Sequence, residues 1–121
     1  MGIIPVRVHA ILDYLVGLVL IVAPYLLGFA DGSAAQWVPQ IIGAATLIAS
    51  LLTRYDLGLI KVIPFRTHLV LDMLMGVILL ASPWVLGFAD RIWWPHALFG
   101  VIYIVVPILS QKDAAVAHVR L

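Results

Sequence analysis

Residues 4–31 read IPVRVHAILDYLVGLVLIVAPYLLGFAD, and residues 63–90 read IPFRTHLVLDMLMGVILLASPWVLGFAD. The two stretches align without a gap from Ile4 with Ile63 to Asp31 with Asp90, and fifteen of the 28 positions are identical. A chance likeness between two apolar segments would not keep His, Asp, Pro and Gly at fixed spacing. The stretches are therefore copies from a tandem duplication, and we divide the chain into two repeats, residues 1–56 and residues 57–121.

The composition is that of a membrane protein. Hydrophobic residues make up 64% of the chain, charged residues 11%, and the mean hydropathy is +1.16, whereas about a quarter of the residues in soluble domains are charged. Segments 14–30, 32–53, 73–89 and 92–111 contain no Asp, Glu, Lys or Arg, and their lengths approach the roughly 20 residues that a membrane-spanning helix needs. The sequence predicts an all-α protein with four transmembrane helices, at about residues 6–29, 37–55, 65–88 and 94–110, and a short polar C-terminal tail.

Two further features bear on processing and chemistry. The first apolar segment has an internal copy, which a cleaved leader would not have, so we expect it to be retained. The chain has no cysteine, which excludes disulfides and thiolate metal sites.

Basic residues predict the orientation in the membrane. On the side of the membrane where the first helix of each repeat ends, the only basic residue is Arg91. The opposite side, which holds the termini and the central loop, carries Arg7, Arg54, Lys61, Arg66, Lys112 and Arg120. By the positive-inside rule both termini are expected in the cytoplasm, in the cell (inner) membrane. Each repeat crosses twice, so the copies should be related by a parallel pseudo-twofold axis along the membrane normal. His96, which we align with Gln40, is expected to be a polar residue of the outer interface.

The second copy contains Ser82-Pro83-Trp84, followed by Gly87-Phe88. It resembles the SPW-repeat family of small integral membrane proteins, in which this motif lies in the first of two transmembrane helices of each repeat. The resemblance implies two such repeats and no particular activity. The first copy has Ala23 in place of the serine and tyrosine in place of tryptophan, so neither side chain is essential in both halves. The motif positions are Pro24, Tyr25, Gly28, Phe29, Ser82, Pro83, Trp84, Gly87 and Phe88.

Paired ionisable residues are the candidate site. Four-residue spacing places His9 beside Asp13 on one helical face, and His68 beside Asp72 on its copy. The four groups together have the chemistry to bind a divalent metal or relay protons. Alternatively they are structural pairs near the membrane edge, because Asp13 lies only about 12 Å along the helix from Pro5. We favour structural pairing, assign no metal and no cofactor, and expect the polar cluster to comprise His9, Asp13, His68, Asp72, Arg7 and Arg66.

Small residues predict where helices pack. Gly17 and Gly76 lie on the same face as the His–Asp pairs and are expected to let the first and third helices approach closely. Gly43 and Gly100 are the corresponding small residues of the second and fourth helices. Ala10 is replaced by leucine in the second copy and is therefore expected to face lipid.

The function classes follow from these features. We favour a structural or interaction protein that lies in the lipid bilayer and associates with itself or with another membrane protein. The alternative is a small channel or proton-linked transporter that uses the His–Asp pairs, and a weaker one is a metal-binding membrane enzyme. An enzyme is the least supported class, because no nucleophile beside a base, phosphate-binding loop or haem motif is present. No feature of the sequence indicates nucleic-acid binding.

Overall fold

The computed structural model describes residues 2–112, which form four helices. These are α1 (Val6–Leu26), α2 (Ala34–Leu51), α3 (Phe65–Val85) and α4 (Trp94–Leu109). The first three are long and apolar enough to cross a membrane, and α4 is a shorter apolar helix of 16 residues. Over the described residues the predicted all-α fold is confirmed. The polar tail beyond residue 112, including Arg120, lies outside them.

Glycines end α1 and α3 three residues before the predicted boundaries at 29 and 88. Gly28 has a φ of 78°, in the left-handed region that glycine adopts readily. The backbone N–H of Phe29 then donates to the carbonyl of Pro24 at 2.8 Å, as in a Schellman helix ending. The same turn, with a φ of 77° at Gly87, brings the buried ring of Phe88 back against the bundle.

The second helix begins three residues before the predicted start and ends four residues before the predicted end. At its start the hydroxyl of Ser33 accepts a hydrogen bond from the N–H of Ala35 at 3.2 Å, which is the usual N-cap arrangement. At its end the chain leaves the helix for a short backbone pairing, in which the N–H of Ile63 donates to the carbonyl of Leu52 at 2.7 Å.

The segments that precede α1 and α3 close one end of the bundle. The N–H of Ile4 donates to the carbonyl of Leu109 at 2.9 Å, and the N–H of Gln111 donates to the carbonyl of Ile4 at 2.9 Å. Ile63 makes the corresponding pairing with the residues that follow α2. The start of each repeat is therefore hydrogen-bonded to the end of the other.

Helix crossings within each repeat are formed by glycines. A Cβ added to Gly43 would lie 2.6 Å from the carbonyl oxygen of Gly17, and one added to Gly76 would lie 2.8 Å from that of Gly100. Backbones this close leave no room for a side chain. The prediction that Gly17 and Gly76 bring α1 and α3 together is wrong, since each instead faces the second helix of its own repeat.

Two apolar clusters fill the bundle at different levels. The end cluster lies near the closed end and consists of Val6, Ala10, Tyr55, Phe65 and Leu69. The middle cluster consists of Leu20, Ile42, Leu79 and Tyr103. Ala10 is fully buried, so the prediction that it faces lipid is wrong. Many large apolar side chains of α1 and α3 point outward instead, as expected for surfaces in contact with lipid.

Candidate functional site

Four ionisable side chains meet between the two repeats. His9 and Asp13 lie on α1, and His68 and Asp72 lie on α3. The exposed fractions of these residues are 0%, 8%, 0% and 3%, respectively. We call these four residues the His–Asp cluster. It lies between the end cluster and the middle cluster, in surroundings where an unpaired charge would be costly.

The shortest contacts in the His–Asp cluster join the two repeats. His9 Nε2 lies 3.0 Å from Asp72 Oδ2 and 3.2 Å from Asp13 Oδ1. His68 Nε2 lies 2.8 Å from Asp13 Oδ2 and 3.2 Å from Asp72 Oδ2. Each ring is therefore closer to the carboxylate of the other repeat than to the one four residues along its own helix. The cluster is a junction between α1 and α3 formed by side chains.

A serine hydroxyl determines which nitrogen of His9 carries a hydrogen. Ser110 Oγ donates to the carbonyl of Val106 at 2.6 Å and lies 2.7 Å from His9 Nδ1. A hydroxyl has one hydrogen, and the short contact to the carbonyl uses it. The bond to the ring must then be donated by His9 Nδ1–H.

Thr53 does the same for His68. Its hydroxyl donates to the carbonyl of Ala49 at 2.6 Å and lies 2.7 Å from His68 Nδ1. With both Nδ1 atoms acting as donors, both Nε2 atoms point at carboxylates. Because a bare nitrogen lone pair would repel a carboxylate oxygen, each short contact requires a proton or a cation between the two atoms. Either protons are shared between the Nε2 atoms and the carboxylates, or a cation lies between the ligands.

The two carboxylates have different surroundings. Asp13 Oδ2 accepts a further hydrogen bond of 3.0 Å from the hydroxyl of Tyr55. Asp72 Oδ1 is buried and has no hydrogen-bond partner among residues 2–112. A small cavity of about 20 Å³ adjoins both carboxylates and is also lined by Thr46 and Tyr103. Its volume is enough for about one water molecule.

Aromatic rings cover the histidines on the side of the end cluster. The ring of Phe65 contacts His9 edge-on at a centroid distance of 5.3 Å and stacks on His68 at 6.1 Å. The predicted arginines are not part of this site. Arg7 lies 3.9 Å from Asp56 at the surface, and Arg66 is exposed and forms no ion pair in the described part of the chain. The prediction that Arg7 and Arg66 belong to the polar cluster is therefore wrong.

His96 occupies a second buried polar position, away from the His–Asp cluster. It is 1% exposed, and its Nε2–H donates to the carbonyl of Ala35 at 2.8 Å. Its ring packs against Phe29 at 5.4 Å and Phe88 at 4.9 Å, one from each repeat. The residue is therefore buried within the bundle, and its position at the outer membrane interface stays a prediction. The sequence feature that could have predicted the burial of His96 is the repeated Gly-Phe pair, which places a buried ring just beyond the end of the first helix of each repeat.

The motif residues themselves shape this end of the bundle. Pro24 and Pro83 are fully buried, whereas Tyr25 and Trp84 are 64% and 57% exposed. The hydroxyl of Ser82 donates to the carbonyl of Leu79 in its own helix at 2.8 Å. The motif therefore ends a helix and places an aromatic ring outside, and it contributes no contact to the His–Asp cluster.

An ion pair connects the loops at the same end. Arg91 Nη1 donates to Asp31 Oδ2 at 2.6 Å, and both side chains are partly exposed. The hydroxyl of Ser33 also donates to this carboxylate, at 2.6 Å, and together with the nearby arginine it lowers the pKa of Asp31. Since exposed ion pairs contribute little to stability, this contact mainly aligns the two loops.

One comparison with known proteins gives a match. The family model described as the SPW repeat domain matches residues 7–110, which include all four helices except one residue of α1. No curated protein and no solved structure matches the chain.

Proposed function

The chain belongs to the SPW repeat family, and on that basis we propose that it is a structural or interaction protein of the membrane. It is a multi-pass membrane protein with four apolar helices. In the proposal all four helices cross the bilayer, and the bundle associates with a second copy or with another membrane protein. The proposal includes no enzymatic activity.

The observation that carries the proposal is the way the buried polar groups are used. All four members of the His–Asp cluster contact one another, and both histidines are further held by hydroxyls. Groups held in this way fix one arrangement of the two repeats. The surfaces that remain for interaction are the outward apolar faces, such as those carrying Leu15, Leu18 and Val22.

The proposed orientation places both termini in the cytoplasm, with the protein in the cell (inner) membrane. It rests on the excess of basic residues on the side of the closed end and on a parallel pseudo-twofold relation between repeats. The equivalent contacts of His9 with Ser110 and of His68 with Thr53 support that relation.

Self-association is tested with labelled protein diluted stepwise in lipid bilayers. Energy transfer between donor- and acceptor-labelled copies should persist at low protein-to-lipid ratio and fall when Leu18 is replaced by tryptophan on the outward face. As a matched control, Leu20→Ala changes a buried leucine of the same helix, which should lower stability without removing association of the folded fraction. A chain that remains monomeric at every ratio would refute self-association.

A proton-linked transporter is the second candidate, and one observation favours it. Asp72, whose Oδ1 has no partner among residues 2–112, lines a cavity with room for about one water molecule, and a proton-transfer site would require such a group beside water. Proton uptake by liposomes that contain the protein separates the two candidates. A structural bundle should give the leak of protein-free liposomes, whereas uptake that is lost in a folded His9→Leu, His68→Leu double variant would establish the transporter.

A further inference from the structure

The His–Asp cluster has the composition of a metal site, with four potential ligand atoms close together. One ligand atom from each of its four residues can be chosen so that all four lie within 4.8 Å of one another. The set comprises two imidazole nitrogens and two carboxylate oxygens, which suit divalent ions such as Zn²⁺, Fe²⁺ and Mn²⁺. In a tetrahedral zinc site with bonds of 2.0–2.1 Å, neighbouring ligand atoms are about 3.3 Å apart. The nitrogen–oxygen contacts of 2.8–3.2 Å need a few tenths of an ångström of expansion, and the widest separation in the set, up to 4.8 Å, has to contract around the ion.

The hydroxyl bonds prepare both histidines for a metal. A metal-bound imidazole usually donates its other N–H to a fixed acceptor, which holds the tautomer and the orientation of the ring. Ser110 and Thr53 are such acceptors, at 2.7 Å from His9 Nδ1 and His68 Nδ1 respectively. Each leaves the Nε2 lone pair directed at the centre of the cluster. The histidine of each repeat has this arrangement, with its acceptor supplied by the other repeat.

The second independent observation is the unpartnered oxygen of Asp72. Its Oδ1 is buried without a hydrogen bond, in a residue that is 3% exposed. In a cluster held only by hydrogen bonds, that oxygen stays unsatisfied, and two Nε2–H groups must serve four short contacts. A central cation takes the nitrogen lone pairs directly, and an Asp72 carboxylate that binds it through both oxygens also gives Oδ1 a partner.

We propose that His9, Asp13, His68 and Asp72 bind one divalent transition-metal ion between the two repeats. His9 and His68 supply Nε2, and each aspartate supplies a carboxylate oxygen. Thr53, Ser110 and Tyr55 are positioning residues that hold the ligands. The ion ties α1 to α3 in the membrane, which goes beyond the proposed bundle function and is not required by it.

The test uses the full chain purified in detergent with an affinity tag that contains no histidine. Zn²⁺ is titrated calorimetrically, excess ion is removed by gel filtration, and the retained metal is measured by mass spectrometry. We expect about one Zn²⁺ per chain with a raised melting temperature. Asp72→Asn should abolish retention, and Thr53→Val, which keeps all four ligands, should weaken binding about 10- to 100-fold. The matched control is His96→Gln, which removes a buried histidine elsewhere and should bind as the parent does.

X-ray absorption by the Zn²⁺-loaded parent keeps the test decisive if a ligand variant does not fold. The spectrum should show two imidazoles and only nitrogen and oxygen ligands, at about 2.0–2.1 Å. A folded parent that retains no ion, a spectrum without two imidazoles, or full retention by Asp72→Asn would each overturn the metal site. None of these results would remove the bundle proposal, since the hydrogen-bonded form of the cluster needs no ion.

Discussion

Replacing Thr53 with valine tests how the histidines are held. Valine has nearly the same shape as threonine, and Thr53 is fully buried, so packing should change little. The hydroxyl is the acceptor for His68 Nδ1–H at 2.7 Å. Its loss leaves a buried N–H without a partner, which costs about 1–3 kcal/mol. The substitution also removes the hydrogen bond that the hydroxyl donates to the carbonyl of Ala49. This loss is smaller, because the same carbonyl still accepts a backbone N–H at the end of the helix.

Ser82→Ala is the matched control for this change. Its hydroxyl is also buried and also donates to a carbonyl of its own helix, but within residues 2–112 no other residue donates to it. Removing it should cost no more than about 0.5–1.5 kcal/mol. The free energy of unfolding is measured by titrating the protein in mixed micelles with sodium dodecyl sulfate and following helix content. If Thr53→Val is as stable as Ser82→Ala, the hydroxyl does not hold His68, and the inferred Nδ1–H tautomer is wrong.

Three further predictions follow from the site, the crossings and the topology. Asp13→Asn should destabilise the protein more than Asp72→Asn, because Asp13 also accepts a hydrogen bond from tyrosine whereas one oxygen of Asp72 has no partner; equal losses in the detergent titration would contradict the asymmetry. Gly43→Ala should cost about 1–3 kcal/mol, because its Cβ would lie 2.6 Å from a backbone oxygen of the neighbouring helix, whereas alanine at an exposed position of α2 should cost little. Single cysteines at Gly32 and Lys61 should react with a membrane-impermeant reagent from opposite sides of the bilayer, and labelling from one side would reject the proposed crossings.

The helices and the repeat could be predicted because they depend on local pattern. Charge-free segments of membrane-spanning length and the gapless match between the two copies are visible in the sequence. Four-residue spacing also predicts that His9 and Asp13 share a helical face. The ends of the helices were harder to predict. Helix α1 ends at Leu26 because of the backbone conformation of Gly28, which hydrophobicity does not indicate.

The partners of the site could not be predicted, because they lie in or just after the second helix of each repeat, where the copies have diverged. Gly43 and Gly100 form equivalent crossings, and Thr53 and Ser110 bind equivalent histidines. The two members of each pair are separated by the same number of residues. That separation is slightly shorter than the one between the copies of the first helix, because the loop between the first and second helices differs in length between the repeats. With the shorter separation His96 corresponds to a proline of α2, so its predicted alignment with the neighbouring glutamine was out of register.

The contacts of the His–Asp cluster explain why the chain contains two copies of the repeat. His9 has its hydroxyl acceptor, Ser110, and its nearer carboxylate, Asp72, in the second repeat. His68 has both of its corresponding partners in the first. A single two-helix repeat would therefore carry a histidine without its hydroxyl acceptor and without its nearer carboxylate, on a helix face exposed to lipid. Polar groups in that position are costly in a bilayer. The repeat can satisfy its own polar residues only against a second copy, and in this chain the tandem duplication supplies that copy covalently.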